Sequence, residues 1–283
     1  MAATQPDPKA RATSQAAGIP GVQHVIAVAS GKGGVGKSTT SCNLALGFAA
    51  IGLKAGILDA DIYGPSQPKL FGLRGKPRLM EGRKLEPMER FGVKVMSIGF
   101  LIEEDLATIW RGPMVISAIT QMLRGVAWGD LDILVVDLPP GTGDAQLTMA
   151  QQTPLAGAVI VSTPQDIALI DARRGIAMFQ KVNVPLLGVI ENMSGFCCPA
   201  CNRLTPIFGQ GGARHEADLR GIPFLGEIPL NIQIRETSDD GRPLVATEPD
   251  GVHARHYVEI ARNIWATVVT GAASKPAPRI VIE

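Results

Sequence analysis

The residues best suited to chemistry form a glycine-rich stretch near the start of the chain. Residues 31–39 read Gly-Lys-Gly-Gly-Val-Gly-Lys-Ser-Thr and contain the G-x-x-x-x-G-K-S spacing of a phosphate-binding loop. In such a loop, backbone N–H groups surround a polyphosphate, Lys37 binds the β- and γ-phosphates, and the Ser38 hydroxyl ligates Mg²⁺. The stretch therefore predicts a nucleotide site. The predicted contacts within it are Gly31, Gly33, Gly34, Val35, Gly36, Lys37, Ser38 and Thr39.

An additional lysine, Lys32, follows the first glycine of this stretch. This arrangement resembles the deviant phosphate loop of the MinD/ParA/nitrogenase-iron-protein group. The resemblance implies that Lys32 reaches across a face-to-face dimer to the nucleotide of the partner, where a second cation would stabilise the transferring phosphoryl group. The alternative is a solvated surface lysine without a catalytic role.

Carboxylates follow two apolar segments that are predicted to be strands, at 54–58 and 133–136. Asp137 ends the second segment, where it can hold Mg²⁺ through water. Asp59 and Asp61 follow the first, and strand alternation puts both on one face. Resemblance to the same group implies that Asp61 activates the attacking water and that Asp59 lies nearer the metal. An ordinary polar strand end is the alternative for Asp59 and Asp61, and an aspartate that only caps the next turn is the alternative for Asp137.

The base of the nucleotide is predicted to be adenine. No Asn-Lys-x-Asp guanine-reading motif occurs in the chain, so ATP is favoured over GTP. Asn192 follows an apolar segment at 186–190 and matches the asparagine that contacts adenine in related proteins. An asparagine that only forms a turn explains the position nearly as well.

A second centre is predicted at Cys198 and Cys201, which form a C-x-x-C pair. Such a pair can be a redox dithiol, half of a zinc site or half of an iron–sulfur site. The redox interpretation needs a thioredoxin-type fold, and a complete metal site needs four ligands, which His215 alone does not supply. Two copies of the chain would supply four cysteines and bridge one 4Fe–4S cluster. A structural zinc at the same interface stays an alternative.

The complete set of motifs resembles the Mrp/ApbC family of iron–sulfur carrier ATPases over roughly residues 22–250. The resemblance implies an ATP-hydrolysing homodimer that holds a labile 4Fe–4S cluster on Cys198 and Cys201 and passes it to apo-proteins. Cys197 stands where relatives often have an apolar residue, and Cys42 is predicted to be a packed core thiol. The motifs lie at 31–39, 59–66, 110–114, 137–144, 162–166, 192–194, 198–201 and 238–243.

The order of predicted elements indicates the fold. Strand-like and helix-like segments alternate, which favours an α/β P-loop NTPase with a mostly parallel central sheet and helices on both faces. We expect one domain at 22–270 with a C-x-x-C insertion near 196–210. Residues 1–21 are predicted to be a disordered leader, and 271–283 a C-terminal tail.

Charge and cysteine content limit the partners and the compartment. The formal net charge is +1, which gives no general attraction to nucleic acid or membrane, so neither is predicted as a partner. Clustered cysteines suit a reducing compartment, so we predict a cytoplasmic protein, with the mitochondrial matrix second. The alternative function is a MinD/ParA-type positioning ATPase that binds DNA or membrane, which leaves Cys198 and Cys201 without a role.

Overall fold

A nine-stranded sheet lies at the centre of the part of the chain that the computed structural model describes, residues 18–102, 112–201 and 203–273. The strand order is β3-β4-β2-β5-β1-β6-β7-β8, and β9 also pairs with β7. The strands are β1 (Val22–Ala29), β2 (Ala55–Asp59), β3 (Met88–Arg90), β4 (Val93–Ser97), β5 (Leu131–Asp137), β6 (Gly157–Ser162), β7 (Leu186–Cys197), β8 (Leu204–Thr205) and β9 (Phe224–Leu230).

Helices connect and cover these strands. Two single-turn 3₁₀ helices, Glu81–Arg83 and Ile98–Phe100, accompany them. The α-helices are α1 (Lys37–Ala50), α2 (Gln67–Leu70), α3 (Gly112–Arg124), α4 (Asp144–Gln152), α5 (Asp166–Lys181), α6 (Gly212–Leu219), α7 (Ile232–Asp239), α8 (Leu244–Thr247) and α9 (Val252–Ala273).

The central strands are parallel and buried on both faces. Every residue of β2 and of β6 is buried, as expected for apolar strands between two layers of helices. The connection from β1 to β2, which contains α1, runs toward the β3 edge of the sheet. The connections that contain α3, α4 and α5 run in the opposite direction, toward β8. Because such crossovers are right-handed, α1 lies on one face and the other three helices on the opposite face. The predicted fold class is confirmed.

The parallel arrangement brings the chemistry to one edge of the sheet. In the register of the sheet, Asp59 on β2 lies opposite Asp137 on β5. Strand β5 pairs with β2 on one side and with β1 on the other, and the phosphate loop follows β1. The carboxyl ends of three adjacent strands therefore hold the predicted nucleotide site.

Several predicted boundaries differ from the observed ones. Helix α2 begins at Gln67, inside the glycine- and proline-rich stretch 64–68, with Pro68 in the first turn, where proline is tolerated. Strand β7 continues to Cys197 and carries the cysteine segment directly. Helix α9 continues to Ala273, three residues into the predicted tail. Most of the predicted leader, 1–17, and residues 274–283 lie outside the described residues.

Within the described ranges, no helix combines the length and the apolar character needed to span a bilayer.

Candidate active site

The phosphate loop has a backbone that its glycines require. Gly34 and Gly36 have φ angles of +81° and +79°, in the left-handed region that favours glycine. A Cβ atom on Gly36 would lie 2.2 Å from the Nδ2 atom of Asn192. A Cβ on Gly31 would lie 2.2 Å from the backbone oxygen of Asp171. The loop therefore fits closely between α5 and β7, and this fit needs glycine at positions 31 and 36.

The predicted phosphate lysine and the predicted magnesium carboxylate contact each other. Lys37 Nζ lies 2.5 Å from Asp137 Oδ1 and 3.3 Å from Ser38 Oγ. Ser41 Oγ also lies 2.9 Å from Asp137 Oδ1. The ammonium group thus lies between the two groups that the sequence assigned to Mg²⁺. A hydroxyl and a carboxylate around a cation are the hard oxygen donors that Mg²⁺ prefers, so these residues fit the ion.

Asp59 is fully buried and accepts hydrogen bonds from four donors. The donors are the backbone N–H groups of Asp61, Ser66 and Gln67, at 3.2, 2.9 and 3.0 Å, and the Ser97 hydroxyl at 3.0 Å. Two of them belong to the segment between β2 and α2, and a third is the first residue of α2. Asp59 therefore anchors the turn that carries Asp61, in addition to its position beside the predicted metal site.

The burial of Asp59 also changes its acidity. Burial and the nearby Asp137 carboxylate raise the pKa of Asp59 from 3.8 to about 7. Hydrogen bonds from Gln67 and Ser97 and the charge of Lys37 act in the opposite direction. The pKa is raised because removing a carboxylate from water disfavours its charged form.

Asp61 lies at the wall of an open cavity. Its exposed fraction is 9%, and the cavity, of about 530 Å³, is also lined by Tyr63, Pro139 and Gln146. Burial raises the pKa of Asp61, Lys37 lowers it, and further causes are smaller. A carboxylate with a raised pKa is a stronger base, which suits the predicted activation of water.

Asn192 lies beside the phosphate loop, and its contact with adenine stays a prediction. Its Nδ2 donates to the Val35 carbonyl at 2.8 Å. It lines a cavity of about 360 Å³ together with Gly36, Thr39 and Pro229. The position suits an adenosine pocket, although the Asn192 amide is already bonded to the loop.

Lys32 lies at the start of the loop with its side chain half-buried. The Ser30 hydroxyl donates to the Lys32 carbonyl at 2.9 Å, which orients the backbone. Lys32 forms no ion pair with any residue that the structure describes. Its proposed contact with the nucleotide of a second copy stays a prediction.

The cysteine pair lies on a β-hairpin at the end of β7. Strands β7 and β8 are antiparallel, and the backbone N–H of Cys198 donates to the Arg203 carbonyl at 3.1 Å. Cys198 is half-buried and Cys201 is exposed. Hydrogen bonds from the backbone N–H groups of Ala200 and Cys201, and one from the Cys201 side chain, lower the pKa of Cys198. A lowered pKa favours the thiolate that binds metals.

The hairpin does not complete a metal site within one chain. Across 18–102, 112–201 and 203–273, no group of three or more His, Cys, Asp or Glu side chains lies close enough to hold a metal ion. His215, on α6, does not complete one. Cys42 is fully buried in α1, and burial raises the pKa of its thiol, as expected for a core cysteine. Cys197 is half-buried at the end of β7.

Two site residues were missed in the sequence. Gln67 and Ser41 both hydrogen-bond to Asp137 from elements other than β5. Ser41 lies one helical turn after Lys37, so helical spacing could have indicated it. Gln67 lies in a Gly-Pro-Ser-Gln-Pro run, a composition that indicates a turn and gives no signal for a site residue.

The fold and site together define a class of protein. A parallel sheet, a phosphate loop between β1 and α1, and Asp137 at the end of β5 define a P-loop NTPase. The chain belongs to the NUBPL iron-transfer P-loop NTPase family, within the ParA group, and the family model matches residues 21–265.

Relatives with high identity carry names of iron–sulfur proteins. The chain is 56% identical over 245 residues to the Arabidopsis thaliana "iron-sulfur protein required for NADH dehydrogenase, mitochondrial", covering 86% of this chain and 78% of that protein. It is 52% identical over 250 residues to the "iron-sulfur cluster carrier protein" of Escherichia coli K12, covering 88% of this chain and 68% of that protein.

Solved structures agree with the fold. A nucleotide-binding protein from Archaeoglobus fulgidus, in complex with ADP, superposes with a TM-score of 0.72 at 43% identity and covers 84% of this chain and 92% of its own. The MinD cell division protein of Aquifex aeolicus has a TM-score of 0.58 at 22% identity, covering 86% of this chain and 97% of its own. The second likeness is one of fold alone.

Proposed function

We propose that this protein is an ATPase that carries a labile 4Fe–4S cluster and transfers it to apo-proteins. The observation that carries the proposal is the cysteine hairpin: Cys198 and Cys201 lie together near the surface, with no third ligand in the described part of the chain. The family match and the names of the relatives support iron–sulfur cargo.

The nucleotide half of the proposal uses the residues around the phosphate loop. Loop N–H groups and Lys37 bind the phosphates of ATP, and Asn192 borders the adenosine. Ser38 and Asp137 hold Mg²⁺, with Asp59 beside them; the ion neutralises phosphate charge. For ATP to bind, Lys37 turns from Asp137 toward the β- and γ-phosphates.

The hydrolysis step assigns Asp61 as the base. Asp61 accepts a proton from water as the water oxygen bonds to the γ-phosphorus. The bond between that phosphorus and the β–γ bridging oxygen breaks, and ADP and phosphate leave. Lys32 of a second copy stabilises the charge on the transferring group, since a cation in trans acts there as an arginine finger does.

The cargo half of the proposal requires a homodimer. A 4Fe–4S cluster takes four cysteine ligands, and each chain offers two on its hairpin. A two-fold axis through the cluster supplies the other two from the same surface of the second copy. Lys32 requires a dimer for a separate reason, so two unrelated features support the same assembly.

Strand β7 connects the two halves. It contains Asn192, which bonds to the phosphate loop, and ends at Cys197, next to the first proposed ligand.

We infer that loss of the γ-phosphate moves the segments after Asp61 and Asp137. Their movement shifts the dimer interface and so changes the exposure of the cluster.

The test is anaerobic reconstitution with iron and sulfide. We expect wild-type protein to turn brown and to bind about four iron and four sulfide per dimer. The double variant Cys198→Ala, Cys201→Ala should lose this binding, because the thiolates are the ligands. The control Cys197→Ala should keep it.

Light scattering during chromatography measures the mass of the same samples. Cluster-loaded wild type should be a dimer, and chelation of the iron should reduce the dimer population. Normal iron and sulfide content in the double variant would contradict the ligand assignment. Zinc in place of iron after anaerobic purification from cells would support the structural-zinc alternative.

A positioning ATPase that binds DNA or membrane is less well supported. It gives no role to the cysteine hairpin, and the MinD likeness concerns only the fold. The compartment also stays a prediction. The relatives include a protein of Arabidopsis whose name refers to mitochondria and carrier proteins of bacteria, so each of the two predicted compartments has support.

A further inference from the structure

Gln67 is fully buried in a segment to which the sequence assigned no chemistry. It is the first residue of α2, and its exposed fraction is 0%. Its Nε2 lies 2.9 Å from Asp137 Oδ2 and 3.1 Å from the Ser38 carbonyl oxygen. One amide group therefore connects α2 with both proposed magnesium residues.

The other polar atom of this side chain has no partner. Gln67 Oε1 is buried and accepts no hydrogen bond from the residues that the structure describes. Leaving a buried acceptor unpaired is unfavourable, and native proteins rarely do so without a functional reason. Because no described residue donates to Oε1, while Nε2 of the same amide contacts Asp137, we expect a bound group or a water beside this amide to supply the missing donor.

The contacts of Asp137 explain why a second donor is needed there. Lys37 and Ser41 both contact Oδ1, whereas Gln67 is the only side chain in the described part of the molecule that hydrogen-bonds to Oδ2. When Lys37 turns toward the phosphates of ATP, Asp137 loses a charged partner. Gln67 then keeps the carboxylate in its present orientation.

The backbone of Gln67 connects the same residue to the hydrolytic turn. Its N–H donates to Asp59 Oδ2 at 3.0 Å, and the N–H of Asp61 donates to the other oxygen of that carboxylate. The glutamine side chain and the turn that carries Asp61 are therefore held by one buried group.

We propose that Gln67 is a positioning residue for the magnesium ion. Its Nε2 orients Asp137, and its Oε1 accepts a hydrogen bond from a water bound to the ion. Groups that orient metal ligands in this way typically contribute roughly 10- to 100-fold to metal affinity. The inference rests on the nucleotide half of the proposed function.

The test measures how much Mg²⁺ tightens nucleotide binding. A fluorescent, slowly hydrolysed ATP analogue is titrated into metal-free protein, once with excess Mg²⁺ and once with EDTA, and the ratio of the two Kd values is the readout. For Gln67→Leu we expect the Kd in EDTA to stay within about threefold of wild type, and the Mg²⁺-dependent gain to fall by roughly tenfold or more.

Two further variants make the result specific. Gln67→Met fills similar space with a flexible apolar chain, and it decides the question if Gln67→Leu does not fold. Gln233→Leu removes a chemically matched hydrogen bond, from Gln233 Nε2 to Glu248 Oε1 at 2.7 Å, outside the site. This control should keep the full Mg²⁺-dependent gain.

The possible outcomes separate the inference from the function it rests on. An undiminished Mg²⁺-dependent gain in the Gln67 variants overturns the inference, and so does an equal weakening with and without Mg²⁺, which a purely structural role would produce. If wild type binds the analogue in neither condition, the proposed ATPase function fails instead.

Discussion

Asp59, Asp61 and Asp137 lie at the ends of two neighbouring strands, and their surroundings differ. Four donors surround Asp59, so this carboxylate holds backbone in place. Asp137 contacts the Lys37 ammonium, so its carboxylate already has a cation as a neighbour. Asp61 is the one of the three that borders an open cavity, where water and substrate can reach it. The same residue type thus serves three purposes, because each carboxylate has different neighbours.

The raised pKa of Asp59 makes a prediction about stability. Burial and Asp137 raise this pKa from 3.8 to about 7. Between these values the folded state binds more protons than the unfolded state, so the free energy of unfolding falls as the pH rises from about 4 to about 7. We expect Asp59→Asn to flatten this fall, by up to about 1 kcal/mol per pH unit.

Urea denaturation of the nucleotide-free protein across this pH range measures the effect. Asp61 has a pKa shifted in the same direction, so part of the slope should remain. The exposed Asp250 offers a matched control, and Asp250→Asn should keep the wild-type slope. A slope in Asp59→Asn equal to that of wild type would show that Asp59 titrates normally.

At the scale of elements, strand β7 carries both halves of the proposed function. Its pairing with β9 is irregular between Asn192 and Phe196, and Met193 has a φ of +57°. Left-handed backbone is uncommon for residues other than glycine and tends to occur at functional sites. The irregular pairing therefore lies between Asn192, which borders the proposed adenosine pocket, and the cysteine hairpin.

Glu191 on the same strand holds the element that follows the hairpin. It is fully buried, and its two oxygens accept hydrogen bonds from Gly211 N at 3.0 Å and Ala213 N at 2.7 Å. These N–H groups lie at the start of α6, where a helix leaves donors unpaired and favours a negative charge. One carboxylate therefore connects α6 to β7.

We expect Glu191→Ala to lower the free energy of unfolding by about 2 to 4 kcal/mol, because it leaves one buried and one half-buried N–H group unpaired. The control Glu227→Ala removes a surface ion pair with Arg214, at 3.5 Å, and should cost less than about 1 kcal/mol. Urea denaturation of both variants gives the comparison. Equal losses would mean that Glu191 contributes no more than a surface charge.

At the scale of the whole molecule, each proposed site is incomplete in one chain. The hairpin supplies two of four cluster ligands, and Lys32 has no ion-pair partner among the described residues. A second copy would complete both sites. The nucleotide and the cluster would then each favour the dimer, because both bind it more tightly than they bind the monomer.

The nucleotide contribution can be measured without the cluster. We expect the double variant Cys198→Ala, Cys201→Ala to dimerise in the presence of Mg²⁺ and a slowly hydrolysed ATP analogue. Adding Lys32→Ala should return it to one chain, because the cation in trans is lost. Light scattering during chromatography gives the mass.

The exposed Lys84 provides the control for this experiment. Lys84→Ala in the same Cys198→Ala, Cys201→Ala background should leave the dimer intact, since it removes a lysine charge from a surface segment before β3. A dimer that persists in the Lys32→Ala variant would assign Lys32 to a solvated surface.

The sequence by itself determined the phosphate loop, its lysines and the C-x-x-C pair, because these motifs depend on spacing within a few residues. It also determined the parallel α/β class, since apolar strands alternate with helices. Only the tertiary structure decided which distant side chains meet. Gln67 reaches Asp137 across 70 positions, and Asn192 reaches Val35 across 157. The order of the strands brings them together: Gln67 follows β2, which pairs with β5, and Asn192 lies on β7, which β6 separates from β1. No local pattern encodes such contacts.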